Sequence, residues 1–142
     1  VIYDPILDRL VWAEKGSGAF LNGQKISVSN SSSFKNSIVN LDADYKLASL
    51  RGKIIELGGY TPCFYGGDYA ALLVACGEFV GQVYEYTNPW DGAAVKVIVE
   101  EAGGQVTNML GADQRYDRPL NGYVATNGLL HSPLLELIHS SL

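Results

Sequence analysis

The sequence predicts a layered α/β (α+β) fold in which helices pack on a mixed sheet, preceded by an antiparallel meander of hairpins. Three observations support this prediction. Residues 1–29 contain short extended segments separated by turn residues, and from residue 37 onward strand-like and helix-like segments alternate. The chain has 142 residues, of which 47% are hydrophobic, so it is long enough and apolar enough to bury one core.

The meander is predicted from its turns. Its extended segments are expected at Val1–Tyr3, Leu10–Glu14, Ala19–Leu21 and Lys25–Val28. Asp4-Pro5 is a turn dipeptide that ends the first segment. Asn22-Gly23 joins the last two segments, and this pair is a strong hairpin signal because both residues accept positive φ.

The second part of the chain predicts alternating strands and helices. In order, these are a strand at Ser37–Leu41, a helix at Tyr45–Leu57, a strand at Thr61–Tyr65, a helix at Tyr69–Cys76, a strand at Phe79–Tyr86, a helix starting at Asn88-Pro89 and ending at Gly103-Gly104, strands at Gln105–Thr107 and Tyr123–Ala125, and a helix at Ser132–Leu142. The helix after Asn88 has the clearest signal: Asn88 can cap it, Pro89 suits its first position, and Asp91 lies in its first turn.

Charge excludes some classes of partner. The chain has 10 basic and 15 acidic residues, a net charge of −5, and no Lys/Arg cluster, which argues against nucleic acid and anionic membranes. It has no apolar run of the roughly 18 residues that a membrane helix needs. Charged residues make up 18% of the chain, below the typical value of about 25%. Because the chain also begins without Met, at a strand-like segment, we expect it to be a piece of a longer protein that buries one face.

The cysteines and histidines predict no metal site. Cys63 and Cys76 lie in apolar stretches without a Cys-x-x-Cys pattern, which favours two buried thiols in a reducing compartment and therefore a cytoplasmic protein. His131 and His139 lack the i, i+4 spacing of a helical metal pair.

Asp91 and Glu85 are the first candidate site. Glu85 ends a predicted strand and Asp91 begins the next helix. Carboxylates gathered at such a junction can hold Mg²⁺, which prefers oxygen ligands. The alternative is structural, with Asp91 favoured by the helix dipole and Glu85 an ordinary acid at a strand end.

Gly66-Gly67-Asp68 is the second candidate, because it opens a predicted helix. Glycines let a substrate approach the backbone, and the free N–H groups of a helix start attract phosphate or hydroxyl oxygens. A tight strand-to-helix turn would need the same glycines, and Asp68 would equally serve as a plain N-cap.

Asp42-Ala43-Asp44 is the third candidate, since it follows a predicted strand. A strand ending in Asp-x-Asp resembles the site of haloacid-dehalogenase-type phosphatases, in which Asp42 would be the nucleophile. Lys46 stands where those enzymes have Thr or Val, and the motif lies behind a meander rather than at the start of the domain. The alternative is a solvated turn.

A longer motif resembles the second signature of the inositol monophosphatase family. It runs from Pro89-Trp90-Asp91-Gly92-Ala93-Ala94 into Val99-Glu100-Glu101-Ala102-Gly103-Gly104-Gln105-Val106-Thr107. Other segments similar to the family follow the same order along the chain: Val1–Pro5, Lys15–Gly23, Ala75–Gly77 and Ala125–Asn127. The resemblance extends over nearly the whole chain.

This resemblance implies an αβαβα sandwich and Mg²⁺-dependent hydrolysis of a phosphate monoester. Asp91 would be a metal ligand, Glu85 would contact substrate hydroxyls, and Gly66, Gly67 and Asp68 would form the turn beside the substrate. Inositol phosphate, histidinol phosphate and nucleotide bisphosphates are the implied substrates, and a homodimer is the implied assembly. Gly-Gly-Asp is similar to the histidinol-phosphatase branch, whereas Val95 replaces a usual Gly and the spacer from Glu85 to Asp91 is one residue shorter than in the family.

The family's Asp-Pro-x-Asp-Gly-Thr segment has no counterpart in this sequence. In the family pattern that segment, with an upstream Glu, holds metals and positions the attacking water, and it precedes the region matching Val1. We therefore expect residues 1–142 to be a single C-terminal domain that packs against its own N-terminal half. No catalytic residue is expected within it, and the fragment alone should be inactive. A non-catalytic homologue used for binding or regulation is the alternative.

Overall fold

The computed structural model describes residues 1–42, 45–64 and 66–141, and these form two four-stranded sheets and four α-helices. The strands are β1 (Ile2–Asp4), β2 (Arg9–Glu14), β3 (Gly18–Leu21), β4 (Gln24–Ile26), β5 (Val39–Leu41), β6 (Gly81–Tyr84), β7 (Gln105–Thr107) and β8 (Tyr123–Thr126). The helices are α1 (Ala48–Glu56), α2 (Gly67–Ala75), α3 (Trp90–Glu101) and α4 (His131–His139).

The meander forms a sheet of its own, in the order β1-β2-β3-β4 and antiparallel throughout. The predicted hairpin is confirmed: Leu21 pairs with Gln24, and the turn residues Asn22 and Gly23 have φ of 48° and 82°. The Asn22 side chain also accepts a hydrogen bond from the Leu10 N–H at 2.8 Å. Turn chemistry and pairing register therefore agree.

The second sheet is mixed, as predicted, with the order β5-β6-β8-β7. β5 and β6 are parallel, and the other two pairs are antiparallel. Parallel pairing brings the carboxyl ends of β5 and β6 to the same edge of the sheet. Asp42 directly follows β5 and Glu85 directly follows β6, so both residues lie at this edge.

The sheets and helices alternate in layers. One hydrophobic cluster joins the first sheet to the second through α2 and α3, and it contains Val11, Leu72, Val99 and Tyr123. A second cluster joins the opposite face of the mixed sheet to α1 and α4. α2 and α3 are therefore held between two sheets, and α2 is buried on nearly every side.

The predicted strand at Thr61–Tyr65 is wrong for the part that is described. Residues 61–64 form no strand, and Tyr65 lies outside the described residues. Leu41 donates its N–H to the Pro62 carbonyl, but proline has no N–H to return, and the Phe64 N–H goes instead to the Asn40 side chain at 2.8 Å. A regular ladder cannot form here.

Helix boundaries differ from the prediction at several ends. α4 begins at His131 rather than Ser132, and Asn127 Oδ1 accepts a hydrogen bond from the Leu130 N–H at the helix start, at 3.1 Å. Leu142 lies outside the described residues. α1 follows a 3₁₀ turn at Tyr45–Leu47 and so begins later than predicted.

Two polar contacts hold the layers together. The Glu101 carboxylate at the end of α3 accepts hydrogen bonds from the N–H groups of Gly16 and Gly18, at 2.8 and 2.9 Å. In the interior, His131 lies between the hydroxyls of Thr126 and Thr107, each at 2.9 Å. Burial lowers the pKa of His131 below its usual value, so the ring is neutral in the folded chain at pH 7.

Cys63 and Cys76 form no disulfide in the structure and are half-buried, so they are more exposed than the predicted buried thiols. In the part of the chain that the structure describes, no helix is long and apolar enough to cross a membrane.

Candidate active site

Asp91 lies in the first turn of α3, half-buried. The prediction that the Asn88 side chain caps this helix is wrong. The Asn88 carbonyl accepts a hydrogen bond from the Asp91 N–H, and the Asn88 side-chain amide donates one to Asp91 Oδ2 at 3.2 Å. The Tyr84 hydroxyl donates to the same oxygen at 2.8 Å. Within the described residues, Oδ1 of Asp91 accepts no hydrogen bond, so one oxygen of this carboxylate is held and the other is available.

Tyr84 is fixed by packing on several sides. Its ring stacks on that of Tyr123, its direct partner across β6 and β8, with centroids 4.8 Å apart. Tyr86 contacts it at 5.1 Å between centroids. Burial, followed by the hydrogen bond to Asp91, raises the pKa of Tyr84, which is therefore a hydroxyl donor at neutral pH.

The Gly66-Gly67-Asp68 turn begins α2, whose N-cap is Gly66 rather than Asp68. A Cβ on Gly67 would lie 2.8 Å from Cδ2 of Tyr84 and still closer to Cε2, so a larger residue there would have to displace the Tyr84 ring. The Gln82 side chain donates to the Gly67 carbonyl at 2.9 Å and fixes the turn from the sheet. The first backbone N–H groups of α2 have no partner within the helix, and such groups favour an anion.

Asp68 lies near Asp91. Burial raises the pKa of Asp68, and the charge of Asp91 raises it further. Oδ1 of Asp68 is buried and has no hydrogen-bond partner among the described residues. The starts of α2 and α3 therefore bring two carboxylates to one place, beside backbone N–H groups.

Asp42 and Glu85 meet at the carboxyl edge of the mixed sheet. Asp42 is buried, and its Oδ2 accepts the Glu85 backbone N–H at 3.1 Å. The two residues line a cavity of 160 Å³ together with Lys46 and Tyr86. The rest of the haloacid-dehalogenase-type motif, Ala43 and Asp44, lies outside the described residues.

Metal ligands are incomplete in the described part of the chain. No group of three or more His, Cys, Asp or Glu side chains there could enclose a metal ion. An available Asp91 oxygen at a helix start, next to a second carboxylate, still fits the oxygen chemistry that Mg²⁺ prefers. These residues can supply part of a site and not all of it.

Sequence comparison identifies the family. The model of the inositol monophosphatase family matches residues 1–142. The chain belongs to that family. A fructose-1,6-bisphosphatase/inositol-1-monophosphatase of Thermotoga maritima is 32% identical over 143 residues, covering 98% of this chain and 54% of the relative. A histidinol-phosphatase of Chlorobaculum parvum is 34% identical over 147 residues, covering 97% and 54%.

Solved structures of inositol monophosphatase family proteins share the fold. A Thermotoga maritima inositol monophosphatase matches with a TM-score of 0.90 at 27% identity, covering 98% of this chain and 54% of that one. The extragenic suppressor protein suhB of Bartonella henselae matches with a TM-score of 0.91 at 25% identity, covering 100% and 56%. The chain thus spans about half the length of the relatives it matches.

The inositol monophosphatase signature places Asp91 at the start of α3, and the structure surrounds it with residues that sequence reasoning missed. Asn88 was expected only as a cap, and Tyr84 and Tyr123 were not singled out. The three candidates Asp42, Asp68 and Asp91 all raise the pKa of Tyr84 through their charges, so they lie around one tyrosine. Only the pairing of β6 with β8 and the packing of α3 reveal this arrangement.

Proposed function

We propose that the protein containing this chain hydrolyses phosphate monoesters of small metabolites with the aid of Mg²⁺. The observation that supports this proposal most strongly is the geometry of the Asp91 carboxylate. Its Oδ2 accepts hydrogen bonds from Tyr84 and Asn88, and its Oδ1 is available at the helix start. The relatives named above are phosphatases of inositol, histidinol and fructose phosphates, which supports the same reaction class.

Each candidate residue has a role consistent with its position. Asp91 would be one metal ligand; a bound Mg²⁺ would stabilise charge on the phosphoryl group and activate water. The N–H groups of Gly67 and Asp68 would bind phosphate oxygens, since they open α2. Glu85 would accept hydrogen bonds from substrate hydroxyls, because it lines the cavity next to Asp42.

The remaining ligands would come from the N-terminal half of the longer protein, which we propose packs against this domain. Asp91 and Asp68 alone cannot enclose a cation. Accordingly the 142-residue chain would not release phosphate by itself. We also propose that the protein is cytoplasmic, because its thiols are free, and that it forms a homodimer, because the family resemblance implies one.

Substitutions distinguish this function from the two alternatives, a haloacid-dehalogenase-type mechanism and a non-catalytic homologue. Asp91→Asn in the longer protein should abolish Mg²⁺-dependent phosphate release. Under the haloacid-dehalogenase-type mechanism, Asp42→Asn should remove the covalent step and Asp91→Asn should not. A non-catalytic homologue would release no phosphate from inositol phosphate, histidinol phosphate or fructose bisphosphate in any variant.

A further inference from the structure

Two hydrogen-bond donors converge on one oxygen of Asp91. The Tyr84 hydroxyl reaches Oδ2 from the sheet at 2.8 Å, and the Asn88 amide reaches it from the preceding loop at 3.2 Å. A carboxylate can rotate about its last side-chain bond, and two donors on the same oxygen restrict that rotation. The other oxygen, Oδ1, is then held in one direction.

The position of Tyr84 is set by its surroundings and not by the hydrogen bond. The ring is 8% exposed and is stacked on Tyr123, and Gly67 leaves no gap beneath it. A hydroxyl on a ring so constrained is a fixed point from which a neighbouring carboxylate can be aimed.

We propose that Tyr84 is a positioning residue for the metal ligand Asp91, which it orients so that Oδ1 faces the cation. The inference rests on the proposed function, because it requires Asp91 to bind the metal. Carboxylates that ligate metals are themselves hydrogen-bonded, and loss of such a partner typically weakens metal affinity by about 10- to 100-fold.

Tyr123 provides a matched control. It belongs to the same stacked pair on the paired strand, but its hydroxyl is buried without a hydrogen-bond partner among the described residues. Tyr84→Phe and Tyr123→Phe therefore remove the same group from the same pair of rings, and only Tyr84→Phe removes a contact with Asp91. A general effect on packing would appear in both variants.

The test is Mn²⁺ binding to the purified longer protein without substrate, followed by electron paramagnetic resonance. The relevant site is the one that Asp91→Asn eliminates. We expect Tyr84→Phe to weaken that site by about 10- to 100-fold and Tyr123→Phe to change it by less than about twofold. Equal affinity in the two phenylalanine variants would overturn the proposal.

Two further variants keep the outcome decisive. If Tyr84→Phe does not fold, Asn88→Ala removes the second donor from the loop and should weaken the same site severalfold; unchanged affinity there would overturn the proposal. If Asp91→Asn eliminates no Mn²⁺ site, Asp91 is not a metal ligand and the proposed function fails, whatever Tyr84 does.

Discussion

Gly67→Ala should destabilise the protein, while Gly66→Ala should not. The added methyl at position 67 would lie 2.8 Å from Cδ2 of Tyr84, well inside van der Waals contact. The ring cannot move away easily, since it is buried and stacks on Tyr123. At Gly66 the nearest atom is Cβ of Tyr69 at 3.4 Å, an ordinary contact.

The magnitude follows from two opposing effects. Inserting a methyl into a packed region costs about 1–3 kcal/mol. Replacing glycine by alanine in a helix returns about 0.5–1 kcal/mol. The difference between these ranges is about 0–2.5 kcal/mol, and Gly67 is the first residue of α2, where the gain from alanine is smaller than in mid-helix. We therefore expect Gly67→Ala to lower the free energy of unfolding by about 1–2 kcal/mol, whereas Gly66→Ala, at φ −96°, should change it by less than about 0.5 kcal/mol.

Urea unfolding of the two variants and the parent protein, followed by circular dichroism, measures this difference. Displacement of the Tyr84 ring should also disturb the hydrogen bond to Asp91, so Gly67→Ala should bind Mn²⁺ more weakly than Gly66→Ala. Equal stability of the two variants would refute the close contact between Gly67 and Tyr84 on which the geometry of the site depends.

Two further predictions concern His131 and Glu101. The pKa of His131 is lowered in the folded chain, so the unfolded chain binds this proton at higher pH. The free energy of unfolding should therefore decline as the pH falls below about 6.5, by at most about 1.4 kcal/mol per pH unit. His131→Gln should reduce that decline, measured by urea unfolding at pH 7.5 and 5.5. Glu101→Ala removes the acceptor for the Gly16 and Gly18 N–H groups, so these two amides should exchange with deuterium faster. The Glu14 side chain makes no such contact, so Glu14→Ala should leave both exchange rates unchanged. Equal exchange rates in the two variants would count against the contact with Glu101.

The elements predicted best are those with local signals. Asn22-Gly23 specifies its turn through φ alone, and the apolar, glycine-flanked segment from Tyr69 onward has to be buried wherever it packs. The strand expected at Thr61–Tyr65 does not form over the described residues 61–64, because its hydrogen bonding depends on which groups each strand can offer the other. Proline at position 62 has no N–H, and the Asn40 side chain takes the Phe64 N–H.

The site was predictable only in part, for a related reason. The signature motif indicates Asp91, and the glycine pair before a predicted helix indicates the turn at Gly66–Asp68, because each of these signals lies within a short stretch of sequence. Tyr84 and Tyr123 are 39 positions apart and meet only because β6 pairs with β8. No local sequence pattern predicts that pairing, so their contact could not be predicted from the sequence. The side-chain role of Asn88 depends likewise on how Asp91 turns once α3 is packed.

Phosphate release by the longer protein, measured with and without Mg²⁺ for the parent, Asp91→Asn and Asp113→Asn, tests the central claim most directly. Asp113 is an exposed acid that pairs with Lys96, outside the candidate site, and serves as the control. The claim predicts Mg²⁺-dependent activity that Asp91→Asn lowers by roughly 100-fold or more and Asp113→Asn leaves nearly unchanged, since a metal ion supplies several kcal/mol of transition-state stabilisation. Activity that survives Asp91→Asn and does not require Mg²⁺ would contradict it.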